Sequence, residues 1–187
     1  MEITEIMNKK HPSLGCCGID CGLCPRFYTE GNSKCPGCFG MDFEIKHPPC
    51  SHANCCFKKH KKETCGLCNN FPCVKLKYDD KVKIEKDTFV THKKIFQNLH
   101  FIKTNGLDEY IKKQKIRIRL LKILLEKYND NRSKNYYCLA TTLLDIDNIK
   151  RINKFIKNNN KNICIETIKK IINGYAKEEN IELKLIK

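Results

Sequence analysis

From Leu107 to Tyr128, apolar residues recur every three or four positions: Leu107, Ile111, Ile118, Leu121, Leu125 and Tyr128. That period aligns them on one face of an α-helix. A second set, Ile116, Leu120, Ile123 and Leu124, makes this helix apolar on more than one side, which predicts a central position in a bundle. Gly106 stops the segment before it, which carries Phe89, Ile95, Phe96, Leu99 and Ile102, and Asn129-Asp130-Asn131 ends the helix itself. The same pattern places further helices at about 133–144, at 147–158 with Asp147 near its start, and at 164–179. Ile181 to Ile186 reads as a short strand or a tail.

No such period runs through residues 1–80, where Leu, Ile and Val are few. Pro48-Pro49 rules out helix just before Cys50. Turns, short strands and a helical turn or two are expected, with Gly15, Gly18, Gly22, Gly37 and Gly66 in the tight backbone. A segment this short and this poor in apolar residues needs a staple other than a core. The expected fold is mostly α: a small irregular cysteine-rich, metal-organised lobe over 1–80, followed by a basic helical bundle over 81–187.

Cysteine supplies the staple. Twelve of the fourteen cysteines lie between Cys16 and Cys73. Three pairs have metal-ligand spacing, Cys21-Gly-Leu-Cys24, Cys35-Pro-Gly-Cys38 and Cys65-Gly-Leu-Cys68. A Cys-x-x-Cys turn aims two sulfurs at one point about 2.3 Å from a zinc ion, and two such turns complete a tetrahedron. Disulfides are the competing use of so many thiols. The opening Met1-Glu2-Ile3-Thr4-Glu5 lacks the basic and apolar parts of a signal peptide, and no apolar stretch approaches the length of a membrane span. A cytoplasmic protein with no membrane partner is therefore expected, and in that compartment Cys-x-x-Cys more often binds metal or does redox work. An internal echo, Asp20-Cys21-Gly22-Leu23-Cys24 against Thr64-Cys65-Gly66-Leu67-Cys68, suggests two similar knuckles, each closed by a phenylalanine, Phe27 or Phe71.

Charge changes the picture less than its size suggests. The chain carries a formal +15, almost all in its second half: residues 1–80 hold 11 Lys+Arg against 9 Asp+Glu. Lys58, Lys59, Lys61 and Lys62, between Cys56 and Cys65, are placed to offset bound thiolates. The 31 lysines outnumber 5 arginines and spread along every helix, without Arg clusters interleaved with aromatics. Nucleic acid is thus a disfavoured partner, and the helical half is expected to serve a protein partner instead.

Two metal chemistries fit the spacings. Cys21-x2-Cys24-x10-Cys35-x2-Cys38 matches a zinc-ribbon site, and zinc is the expected metal because the pairs repeat. Cys17-x3-Cys21-x2-Cys24 has the three-cysteine spacing that holds a cluster in radical-SAM enzymes, although the chain lacks the length for their barrel. Three thiolates and a distant fourth such as Cys73 would ligate [4Fe–4S], and Pro25 after Cys24 agrees with ferredoxin-type runs. The alternative function is therefore an iron–sulfur redox or sulfur-transfer protein. His47, His52 and His60 lie among the cysteines as secondary ligand candidates. No Ser-His-Asp, P-loop, dinucleotide or His-Glu-x-x-His motif is present, so no conventional hydrolase, nucleotide or zincin chemistry is expected.

The run Cys17-Gly-Ile-Asp-Cys21-Gly-Leu-Cys24-Pro25, followed by Cys35-x-x-Cys38, Cys56 and Cys65-Gly-Leu-Cys68-x2-Phe71-Pro72-Cys73, resembles the domain-of-unknown-function 3795 family over about residues 14–78. The resemblance implies a small metal-binding protein and no particular reaction. Cys16 and Cys55 are extra to that pattern. The expected ligands are drawn from Cys17, Cys21, Cys24, Cys35, Cys38, Cys50, Cys56, Cys65, Cys68 and Cys73, two more than two four-cysteine sites require. Replacing Cys16 or Cys55 is expected to do little.

One further place holds chemistry. The polar turn from Tyr128 to Cys138 contains Arg132, one of five arginines, and Cys138. A planar guanidinium suits a carboxylate or phosphate, so Arg132 and Cys138 are candidates for a small site facing the cysteines. Their plainer use is a helix junction, with Asn131 or Ser133 as the cap, Arg132 on the preceding carbonyls and Cys138 as a small buried hydrophobe.

Overall fold

A computed structural model describes residues 8–76, 87–159 and 163–186. Among these the regular structure is helical, and no residue lies in a strand. Two short helices, α1 (Phe43–Lys46) and α2 (Ser51–Ala53), sit in the cysteine-rich segment. Five longer ones follow: α3 (Ile95–Asn105), α4 (Leu107–Lys127), α5 (Lys134–Leu143), α6 (Ile146–Asn158) and α7 (Ile165–Glu178). Helices α4 to α7 fall within a residue or two of the expected ends, and α3 ends before Gly106 as expected but starts at Ile95, leaving Phe89 outside it. The short strands expected before residue 80 are absent among the described residues; 3-10 turns and a π-helical turn (Asn54–Lys59) take their place. Residues 181–186 have no regular structure. The composition boundary at Tyr78-Asp79-Asp80 lies outside the described residues.

Helix α4 is central, as its two apolar faces require. It packs against α3, α5, α6 and the 3-10 turn Cys21–Leu23, and Leu120, Leu121 and Leu124 are fully buried. Gly106, at φ 88°, is at once the last cap of α3 and the first of α4, so the chain reverses there with no further linker. Helix α6 contributes Ile149, Ile152 and Ile156 to the core, and α7 contributes Ile168, Ile172 and Ala176, the three-to-four spacing that turns one face inward.

The cysteine-rich segment does not stand apart from the helices. Leu23, between two cysteines, is wholly buried within the same cluster as α4 to α7. Ile95 and Leu99 of α3 pack into a second cluster with Cys16, Cys38, Cys56, Cys65, Phe39 and Phe71. The echoed Cys-Gly-Leu-Cys strings fold alike. Each is a 3-10 turn, Cys21–Leu23 and Cys65–Leu67, followed by an extended cysteine with nearly the same backbone, φ −80° and ψ 135° at Cys24 against φ −79° and ψ 136° at Cys68. The glycine of each copy is what lets a helix come close. A Cβ at Gly22 would stand 2.9 Å from Ile118 Cδ1 of α4, and one at Gly66 would stand 2.7 Å from the Leu99 carbonyl oxygen of α3. Phe71 closes the second knuckle as a buried ring, whereas Phe27 is only half-buried in the first.

Candidate metal centre

Four thiols form a connected chain beneath these knuckles. Cys38 Sγ lies 3.6 Å from Cys16 Sγ, and the Cys16 backbone N–H also donates to Cys38 Sγ at 3.4 Å. Cys56 lies within interacting distance of both Cys16 and Cys65, and its thiol donates to the Lys62 carbonyl at 3.2 Å. The backbone ties the ends together, because Cys65 N–H donates to the Cys16 carbonyl at 2.8 Å. Two thiolates on one tetrahedral zinc stand about 3.8 Å apart, given Zn–S near 2.3 Å; the Cys16–Cys38 pair, joined by a thiol hydrogen bond, is close to that separation. As they stand, however, no three Cys, His, Asp or Glu side chains among the described residues converge to hold a metal.

The electrostatics divide the set between thiolate and thiol. Cys16 is pulled well below the usual thiol range by its contacts with Cys38 and then Cys56, with Lys9 adding to it. Cys38 and Cys56 are pushed up in turn, chiefly by Cys16, and Cys65 is lowered by its contact with Cys56. Lys9 itself is 4 % exposed, with Nζ on the Leu14 carbonyl and against the Cys16 sulfur. Among the described residues no carboxylate lies within ion-pair distance of it. A buried ammonium is costly unless an anion accompanies it, and the sulfurs are the anions at hand. Lys9 thus stands where a cation offsets the sulfurs, and of the four lysines that the sequence suggested for this, Lys58 pairs with Glu44 on the surface.

A second thiol set lines a cavity of ≈ 360 Å³ beside the first. Cys17, Cys21, Cys24, Cys35 and Cys50 are on its wall together with Cys16 and Cys38. Burial pushes Cys17 up to about 12 and raises Cys21 and Cys24. Backbone N–H groups point at the sulfurs: Ile19 toward Cys17, and Arg26 and Phe27 toward Cys24. At Cys50, His52 donates to the thiol and lowers it, while its own pKa rises for the same reason; the other ring nitrogen meets the Lys75 carbonyl at 3.1 Å. His47 stacks on Phe43 at 4.7 Å along the cavity wall, and His60 is exposed.

The ten expected ligands are thus divided. Cys38, Cys56 and Cys65 belong to the connected chain, and Cys17, Cys21, Cys24, Cys35 and Cys50 to the cavity. Cys68 and Cys73 pack half-buried on the same apolar cluster. Cys16, expected outside the ligand set, is the hub of the connected chain, and Cys55 is half-buried. The family pattern could not place Cys16 there; the one sequence signal for it was adjacency to Cys17, since neighbouring residues in an irregular segment readily face opposite ways.

Arg132 and Cys138 are not brought to one cavity. Arg132 is exposed, and its backbone N–H donates to Asp130 Oδ1. That carboxylate also accepts from the Ser133 N–H at 2.8 Å and hydroxyl at 2.6 Å, so Asp130 closes the turn before α5, whose N-cap residue, Ser133, makes no side-chain cap bond to the helix. Cys138 is buried on α5, pushed up to about 12 by burial and then by nearby Cys24. The arginine that reaches between the halves is Arg117 of α4. It donates to the Thr141 and Leu144 carbonyls at 2.7 and 2.6 Å, and its charge acts on buried Asp20, the residue before Cys21. Asp20 accepts from Tyr110 Oη and, at 3.0 Å, from Asn98 Nδ2; burial raises its pKa above the usual carboxylate value.

Comparison with known proteins finds no family model that matches the chain, and no curated protein and no solved structure significantly similar to it. The resemblance in cysteine order rests on the quoted motifs alone. No helix among the described residues is long and apolar enough to cross a membrane.

Proposed function

We propose that this is a cytoplasmic zinc-binding protein whose cysteine-rich segment is a metal-organised module and whose helices serve a protein partner. The connected thiols Cys16, Cys38, Cys56 and Cys65, with buried Lys9 against them, carry the reading. Zinc would replace the shared thiol protons, and the four thiolates would leave no open position, as in structural rather than catalytic sites. A four-thiolate zinc has net charge −2, which Lys9 partly offsets. All fourteen cysteines are free thiols, which suits a reducing compartment.

Metal analysis of the purified full-length chain tests this. About one zinc per chain is expected at this set, lost in Cys16→Ser and Cys56→Ser and retained in Cys55→Ser. Zinc retained in full by Cys16→Ser would remove the hub of the proposed site and overturn it.

A further inference from the structure

The cavity beside the zinc set has its own chemistry. It holds ≈ 360 Å³, within the range of pockets that accept whole cofactors and far more than a single ion fills. Four thiolates around one zinc close to van der Waals contact, as Cys16 and Cys38 nearly do, and leave no room between them. Here the sulfurs stand around a space instead. Cys21 is close enough to Cys17, Cys35 and Cys24 to sense each of them electrostatically, and Cys50 acts on Cys17.

We infer that Cys17, Cys21, Cys24 and Cys35 form a second site that binds a [4Fe–4S] cluster, distinct from the zinc set. The inference rests on the zinc reading only for the assignment of Cys16 and Cys38 to the other site. Three further features fit an anionic inorganic cluster. The backbone N–H groups of Ile19, Arg26 and Phe27 already point at Cys17 and Cys24, and hydrogen bonds to sulfur stabilise such clusters. Arg26 and Lys46 bring positive charge to the wall. Ile19, Phe43 and Val90 supply an apolar lining that keeps water from the core. Phe89, 61 % exposed with the Arg26 guanidinium 4.9 Å from its ring centroid, is also on the wall.

The test uses the full-length chain, isolated with its zinc and then treated anaerobically with equal amounts of ferrous and ferric iron and with sulfide, which together supply the two ferrous and two ferric ions of the oxidised cluster. The expected product is brown and holds roughly four irons and four sulfides per chain beside the original zinc, the composition of one cluster. Cys21→Ser and Cys35→Ser are expected to lose most of the iron and the visible absorption while keeping zinc and helical circular dichroism. Cys68→Ser keeps both metals, and Cys56→Ser loses zinc. Uptake of a second zinc in place of iron, or no visible chromophore in folded wild-type protein, overturns the cluster assignment and leaves the zinc site untouched. Iron that survives Cys21→Ser overturns it equally. Loss of iron only in Cys56→Ser or Cys16→Ser would instead mean that the cluster occupies the set proposed for zinc.

Discussion

Tyr110 shows how one hydroxyl supports a buried charge. Asp20 is 5 % exposed and its carboxylate accepts from Tyr110 and Asn98, with Arg117 acting on it from α4. A hydrogen bond to a charged group contributes about 1.5–3 kcal/mol, and removing it leaves the carboxylate short of a donor. Tyr110→Phe is expected to destabilise the protein by that amount in denaturant unfolding, with the helical spectrum unchanged. A loss below half a kcal/mol, the usual scale of surface substitutions, would mean that the bond adds nothing net. Asp130 acts in the opposite electrostatic direction. Donation from Ser133 and then Lys169 holds its pKa below the usual carboxylate value. The folded state therefore releases this proton more readily than the unfolded chain. Its stabilisation is fully present above the unfolded carboxylate pKa, near 3.9, and is lost as pH falls through the lower folded value. The melting-temperature gap between wild type and Asp130→Ala should accordingly be largest near neutrality and close in acid. A gap independent of pH would show that Asp130 holds the turn before α5 without its charge.

At the scale of elements, the repeated Cys-Gly-Leu-Cys turns are two docking points for two helices. Gly66 abuts the backbone of α3 at the Leu99 carbonyl, and Gly22 abuts Ser13 Cβ and Ile118 Cδ1 of α4. A carbonyl inside a helix and a Cβ fixed to its own backbone both yield only when the backbone shifts, although an isoleucine methyl can turn aside. Overpacking costs typically about 1–3 kcal/mol, so Gly66→Ala and Gly22→Ala are each expected to destabilise the protein within that range, measured by denaturation midpoints. A loss below about half a kcal/mol in either would mean that its knuckle docks differently from the geometry described. The leucines of the turns differ as well: Leu23 enters the main helical core, and Leu67 packs half-buried with Phe101 and Leu107 around Leu14, Ile102, Tyr110 and Ile111.

Across the whole molecule, these contacts couple the thiols to the helices. Leu23 belongs to the helical core, and Ile95 and Leu99 belong to the cysteine cluster. Thermal unfolding should be a single transition, with loss of metal to a chelator lowering the melting temperature of the helical signal itself. Two separated transitions, one unaffected by chelator, would mean that the halves fold independently. Leu23→Ala should cost about 2–5 kcal/mol, as for other fully buried leucines.

The apolar period of residues 107–178 determined the long helices by itself, because a face of Leu and Ile at three-to-four spacing has few other ways to leave water. The central place of α4 was legible for the same reason, in its second apolar stripe. Local spacing also determined the two knuckles, since a Cys-Gly-Leu-Cys turn is built within four residues. Which thiols meet was decided only by the tertiary structure. Cys16 joins Cys38, Cys56 and Cys65 across 22, 40 and 49 positions of the chain, and no short-range pattern encodes contacts at such separations in irregular backbone. The buried charges followed the same rule. Lys9 rather than Lys58 faces the sulfurs, and Arg117 rather than Arg132 joins the halves, because burial of a long cationic side chain depends on where distant carbonyls and anions come to rest.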